Sequence, residues 1–246
     1  SFEEERVDCQ QQLLEAARDV AADLDVGLRT RAILGRNAGS VILNVIEEEA
    51  ADQVVFGWTG SRSRREHVLG STIDPIVSQA TCDVTLVKRG TDPERDEQQI
   101  MVLAGEGPHA PVAARRAVEY ADAVEEPSLT FVNVQPTAAE EEPATAPVEA
   151  GEELIEALLE RADVTERSYE TRVLVNDDVE SAILEIAPEY ETVCAGATRS
   201  GAVSQALFGS LPERLGSELD ETVVVARGSE RSPMSIRDAL IRRLEG

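Results

Sequence analysis

Parts of this chain spell one order of residues twice, and that repetition limits the possible folds more than any other feature. Thr30-Arg31-Ala32-Ile33-Leu34 returns as Thr171-Arg172-Val173-Leu174-Val175, and Ser40-Val41-Ile42-Leu43 returns as Ser181-Ala182-Ile183-Leu184, both 141 positions later. Past a small deletion the offset becomes 139, where Gly57 matches Gly196, Gly70-Ser71 matches Gly209-Ser210, and Val84-Thr85-Leu86 matches Val223-Val224-Val225. Matches that stay in register over such a span imply two copies of one structural unit. The expected division is a first copy over 1–90, a linker over 91–97, a second copy over 98–228 and a helical tail over 229–246.

The second copy reads as strands alternating with helices. Ile100–Leu103, Leu129–Val134, Tyr169–Val175, Thr192–Ala195 and Thr222–Ala226 have the short apolar runs of buried strands. Ala113–Ala123, Glu152–Ala162, Val179–Ala187 and Pro212–Leu219 have helical spacing, and Pro136–Ala150 reads as a Pro- and Ala-rich loop. Such alternation implies right-handed crossovers and a parallel sheet covered on both faces. The expected class is α/β, with two doubly wound, Rossmann-like five-stranded sheets.

The first copy enters this pattern late. A helix at about Glu3–Leu24 corresponds to the third crossover of the second copy, so two strands and a helix are expected upstream of Ser1 or from another chain. In the common strand order 3-2-1-4-5 the first strand is central, and without it a strand at Leu28–Leu34 has no route to pairing with Val54–Phe56. The last strands of the copies, Val84–Val87 and Thr222–Ala226, should be sheet edges that pair with each other as an internal pseudo-dimer. The tail adds a locally basic helix at Met234–Leu244, carrying Arg237, Arg242 and Arg243.

Composition excludes several functions. With 48 acidic against 23 basic side chains, the formal charge of −25 repels nucleic-acid phosphates. Lys88 is the only lysine, and the acids are spread along the chain as in proteins of salt-accumulating halophilic archaea. No apolar run reaches the roughly 18 residues of a membrane span. Cys9, Cys82 and Cys194 lack metal or disulfide spacing, and His67 and His109 lack ligand partners, so a cytoplasmic protein without a metal is expected.

The chemistry concentrates in Val54-Val55-Phe56-Gly57-Trp58-Thr59-Gly60, followed after nine residues by Gly70-Ser71. Glycines at the carboxyl end of a parallel strand let backbone N–H groups approach a phosphate, which the next helix's N-terminus also attracts. Arg62, Arg64 and Arg65 lie between the glycines and would offset local acidity. A tight strand-to-helix connection holding no ligand is the competing reading. Trp58 would shield a ligand or, by preference, pack on its own loop.

Spacing and flanks together resemble the universal stress protein family, whose nucleotide binders carry G-x2-G-x9-G-[S/T] at this place. The resemblance covers most of the chain and implies that Gly57, Gly60, Gly70 and Ser71 hold the ribose and phosphates of ATP or another adenine nucleotide. In the second copy Gly196, Gly209 and Ser210 persist, but Arg199 replaces the second glycine. Gly105 stands where the resemblance implies a nucleoside-binding Asp, whereas Val134 keeps the apolar position beside adenine. The second site is therefore expected to be degenerate.

The expected function is an adenine-nucleotide-responsive regulatory or interaction module, with no catalytic constellation and so no enzyme. Two alternatives stay open. One is the cytosolic regulatory domain of an amino-acid permease or a cation/proton antiporter, tethered to the inner face of the membrane with the transporter in cis. The other is a ligand-free dimerisation module, either of them compatible with a homo-oligomer.

Overall fold

A computed structural model describes residues 2–58, 72–91, 98–124, 126–139, 143, 145–164, 168–197 and 210–229, with the side chains of residues 2–11 and 210 excepted. The chain forms two compact units, residues 1–36 and 37–246.

The first unit is a long helix, α1 (Phe2–Asp23), and an irregular segment. Asp25 takes a left-handed turn at φ 52°, and Arg18 donates to the Thr30 hydroxyl at 2.6 Å. Residues 28–34 are not a strand, and Leu34 is fully exposed. The reason is physical. A strand exists by exchanging backbone hydrogen bonds with a neighbour, and no such neighbour occurs among the described residues.

In the second unit the described elements run α2 (Ala38–Glu48), β1 (Gln53–Gly57), α3 (Ile73–Gln79), β2 (Asp83–Lys88), β3 (Gln98–Leu103), α4 (Ala110–Asp122), β4 (Pro127–Gln135), α5 (Ala146–Ala162), β5 (Glu170–Val175), α6 (Val179–Ile186), a 3-10 turn (Ala187–Glu189), β6 (Thr192–Gly196), α7 (Ser210–Glu218) and β7 (Thr222–Arg227). Asn37 caps α2 by accepting from the Ser40 N–H at 3.1 Å, and Asp178 caps α6 by accepting from the Ser181 N–H at 3.0 Å. The expected loop over Pro136–Ala150 ends sooner than foreseen. Helix α5 already begins at Ala146, because Pro147 sits in its first turn, where a missing N–H costs nothing.

One seven-stranded sheet, in the order β1-β2-β7-β6-β3-β4-β5, replaces the expected two sheets. Every adjacent pair is parallel except β2 with β7, which run antiparallel. Within the second copy this is the order 3-2-1-4-5. The copies join because their last strands would otherwise expose unpaired backbone, and pairing them satisfies both edges.

Alternation along the strands divides the core. Met101, Leu103, Val132, Val193, Val223 and Val225 face α3, α6 and α7, whereas Ile100, Val102, Leu129, Phe131, Cys194 and Val224 face α4 and α5. Burial pushes the Cys194 thiol up to about 12, so it packs as a small apolar group rather than a nucleophile.

The β2–β7 seam is symmetric in detail. Leu86 faces Val225, its own counterpart 139 positions on, so the pseudo-twofold axis passes through that pair. Contacts on either side then recur in reverse. Lys88 Nζ donates to the Leu219 and Glu221 carbonyls beyond α7, and the guanidinium of Arg227 donates at 3.4 Å to the Ala80 carbonyl beyond α3. The Gly90 N–H donates to Thr222 Oγ1 at 3.0 Å, and the Ser229 N–H to Asp83 Oδ1 at 2.8 Å. Each copy thus ends in a cation that caps the last helix of the other.

Burial lowers the pKa of Lys88 from its usual value, while Asp220 and Glu221 act to raise it. The sign follows by linkage: between the folded and unfolded values the unfolded chain binds the extra proton, so stability rises with pH. Relative to Lys88→Met, the unmodified chain should gain stability as pH climbs toward the ordinary lysine range and show a constant difference below the folded value. Urea melts of both proteins from pH 7 upward check this, and a flat difference throughout contradicts it.

Candidate functional site

In open α/β sheets ligands settle beyond the carboxyl ends of the strands, where the strand order reverses. In the second copy that point lies between β3 and β6. Ala104 leaves β3 with its N–H donated to the Val132 carbonyl at 2.8 Å, and its own carbonyl accepts from Asn133 Nδ2 at 2.6 Å. Asn133 is buried and its other side-chain atom accepts from Gln135 Nε2 at 2.8 Å, so the ends of β3 and β4 are locked by a paired amide network. Val134 is partly buried and packs against the core rather than standing free. Gly105 has open space where a side chain would stand.

Gly196, at the end of β6, has none. A Cβ there would lie 2.7 Å from the Ala110 nitrogen and 2.8 Å from the His109 carbonyl carbon. The first turn of α4 therefore occupies the space over Gly196, and the glycine is needed for backbone packing. His109 supports the same closure, since it is buried and its Nδ1 accepts from the Gly228 N–H at 3.2 Å. This imidazole tie was not foreseen from the sequence. A signal existed: with no ligand partner, a lone His beside a Pro-started helix is more often a satisfied core group.

The mouth between β4 and β5 is ordered by acids. Asp177 Oδ1 accepts from the Thr137 N–H at 2.9 Å and from its hydroxyl at 2.5 Å, and these bonds hold its pKa below the usual carboxylate range. Asp178 is held low in the same way by Ser181.

In the first copy, Gly57 closes β1 and is exposed, with nothing near the place of a Cβ. Its partner across the sheet is Val87, whose carbonyl also accepts the Trp58 N–H at 2.8 Å. Trp58 corrects the expectation of packing on its own loop. Its indole lies against Gly216 of α7, so close that a Cβ on that glycine would collide with the ring. The remaining loop residues, Gly60, Arg62, Arg64, Arg65, His67, Gly70 and Ser71, lie outside the described residues. So do Arg199 and Gly209 in the second copy and the expected tail helix, while Ser210 is described only as the first residue of α7.

Copy two contributes one further tie to copy one. Arg116 on α4 donates through Nη1 to Gln53 Oε1 and sits 3.9 Å from Asp83, with Glu119 at 2.5 Å completing its charge balance. Among the described residues no cluster of His, Cys, Asp and Glu could hold a metal ion, and no helix is long and apolar enough to cross a membrane.

Comparison with known proteins agrees with this architecture. The model of the universal stress protein family matches residues 2–88 and again 97–227. The Na(+)/H(+) antiporter NhaS5 of Synechocystis sp. is 22% identical over 219 residues, covering 87% of this chain, and the chain spans only 30% of that antiporter's length. A universal stress protein from Archaeoglobus fulgidus superposes with a TM-score of 0.56 at 18% identity, over 91% of this chain and 78% of its own. A protein of unknown function from Pseudomonas aeruginosa does so at 0.55 and 15%, over 94% and 80%.

Proposed function

Since the chain belongs to the universal stress protein family, in two consecutive copies, we propose that it is an adenine-nucleotide-responsive regulatory module whose ligand sits in the first copy. The observation that carries this is the contrast between equivalent glycines. Gly57 opens onto free space at its strand end, whereas the place over Gly196 is filled by the start of α4. A phosphate can approach the one backbone and is excluded from the other. In this reading Gly57, Gly60, Gly70 and Ser71 supply the cradle, and the second copy, with Arg199 and Gly105, is a support rather than a site. Nucleotide would order the connection after β1 and so change the surface offered to a partner. The protein regulates and does not catalyse, and it acts in the cytoplasm.

Equilibrium dialysis with labelled ATP tests the assignment. The unmodified chain should bind below millimolar concentration, and Gly60→Val should weaken binding at least about tenfold, a loss of roughly 1.4 kcal/mol. Arg199→Ala should leave the affinity unchanged. Undetectable binding at millimolar ATP overturns the assignment, and so does a loss that follows Arg199 instead of Gly60. The measurements belong in dilute buffer and in molar KCl, because a formal charge of −25 suits a protein of concentrated salt.

A second reading is favoured by one specific finding, the likeness to an antiporter of which this chain covers 30%. In it the module is the cytosolic regulatory domain of a cation/proton antiporter, with nucleotide occupancy setting transport.

A further inference from the structure

The seam between β2 and β7 is built from reciprocal contacts, and one place breaks the reciprocity. Trp58 and Ala197 are equivalent by the repeat, and each donates its N–H at 2.8 Å to an equivalent carbonyl, Val87 for Trp58 and Ala226 for Ala197. The position that Trp58 packs against is Gly216, whose equivalent in α3 is Val77. The pseudo-twofold therefore sets the largest side chain opposite no side chain on one flank, and a small one toward a valine on the other.

We propose that Trp58 and Gly216 form a knob and hole that fits the pairing face of the first copy to the second copy of a tandem chain, and to no other first copy. The sheet edges themselves cannot make that choice, because backbone hydrogen bonds are the same whichever strand arrives. Side chains can. Two first copies brought together would drive Trp58 against Val77, which is only 1% exposed and already occupies the space that glycine leaves empty at position 216. Two second copies would bring Ala197 to Gly216 and leave a void where the indole belongs, forfeiting contacts in an otherwise close-packed core. Only the mixed pair is both filled and free of collision. Specificity of this kind comes from penalties on the wrong pairs as much as from attraction in the right one, and it directs the copies to each other instead of to neighbouring chains.

The test uses the full chain with Gly216→Val, Trp58→Ala and the double variant, read by thermal unfolding and native mass spectrometry. Valine is no worse than glycine in a helix, so any loss in Gly216→Val reports the collision and not propensity. That variant should melt about 5 °C or more below the unmodified chain, and Trp58→Ala in the same chain should recover most of the loss. The single variants, unfolded together and refolded as a mixture, should associate one with the other beyond statistical proportions, since exchange of copies restores one Trp58–Gly216 pair and sets an alanine against the valine. If Gly216→Val alone does not fold, its recovery in a one-to-one complex with Trp58→Ala supports the proposal equally. An unchanged melting point, failure of the double variant to recover, or statistical association overturns it.

Discussion

Replacing Leu86 by Asp is expected to break the sheet at its middle, with a loss of about 4 kcal/mol or more. Leu86 is 1% exposed and faces Val225 on the pseudo-twofold axis, so removing its apolar surface forfeits burial on both sides of the seam. Truncating a buried leucine alone costs about 2–5 kcal/mol. A carboxyl group placed there has no described donor to accept from, and burying it without one adds further cost. The loss should be uneven. Strands β1 and β2 hold to the rest chiefly through β7, so their amides should lose protection from hydrogen exchange before those of β3 and β4. Uniform loss across all seven strands would show that the copies do not unfold in that order.

Phe131→Ala is expected to cost about 3–5 kcal/mol, lowering the melting temperature by roughly 6–20 °C. Phe131 is fully buried in β4 among Ile100, Val102, Leu129, Ile155 and Leu158, and its ring meets that of Tyr169 edge-on at 5.6 Å and 82°. An alanine leaves a cavity in the layer between β4 and α5 that neighbours held in a sheet refill only partly. Phe131→Leu keeps most of the volume and should lose far less. Equal effects from both substitutions, measured by denaturant melts, would mean that the aromatic pair and not the volume sustains this layer.

How far the sequence alone reaches is clear from particular residues. The repeat placed Val84–Val87 opposite Thr222–Ala226, and β2 and β7 pair there, because an offset that holds over many positions leaves two equivalent edges with one symmetric solution. The strand expected at Leu28–Leu34 did not form. Its apolar pattern is that of β5, but pattern supplies only one side of a ladder, and β5 has β4 beside it. The glycine pattern located two equivalent strand ends without distinguishing them. That Gly196 lies under α4 while Gly57 lies open depends on which helix passes over each, which no spacing within the loop records. Trp58 was read locally for the same reason, since its partner in α7 lies more than a hundred residues away in the chain.

The reciprocal caps across the seam bear on how the chain meets reagents and modifying enzymes. The only lysine, Lys88, is spent inside the junction, with its ammonium held by main-chain oxygens beyond α7. Acylation of lysine, so common a mark on other proteins, then finds no side-chain amine on the outer surface of the closed form. Any label at that nitrogen records a moment when the two halves had parted.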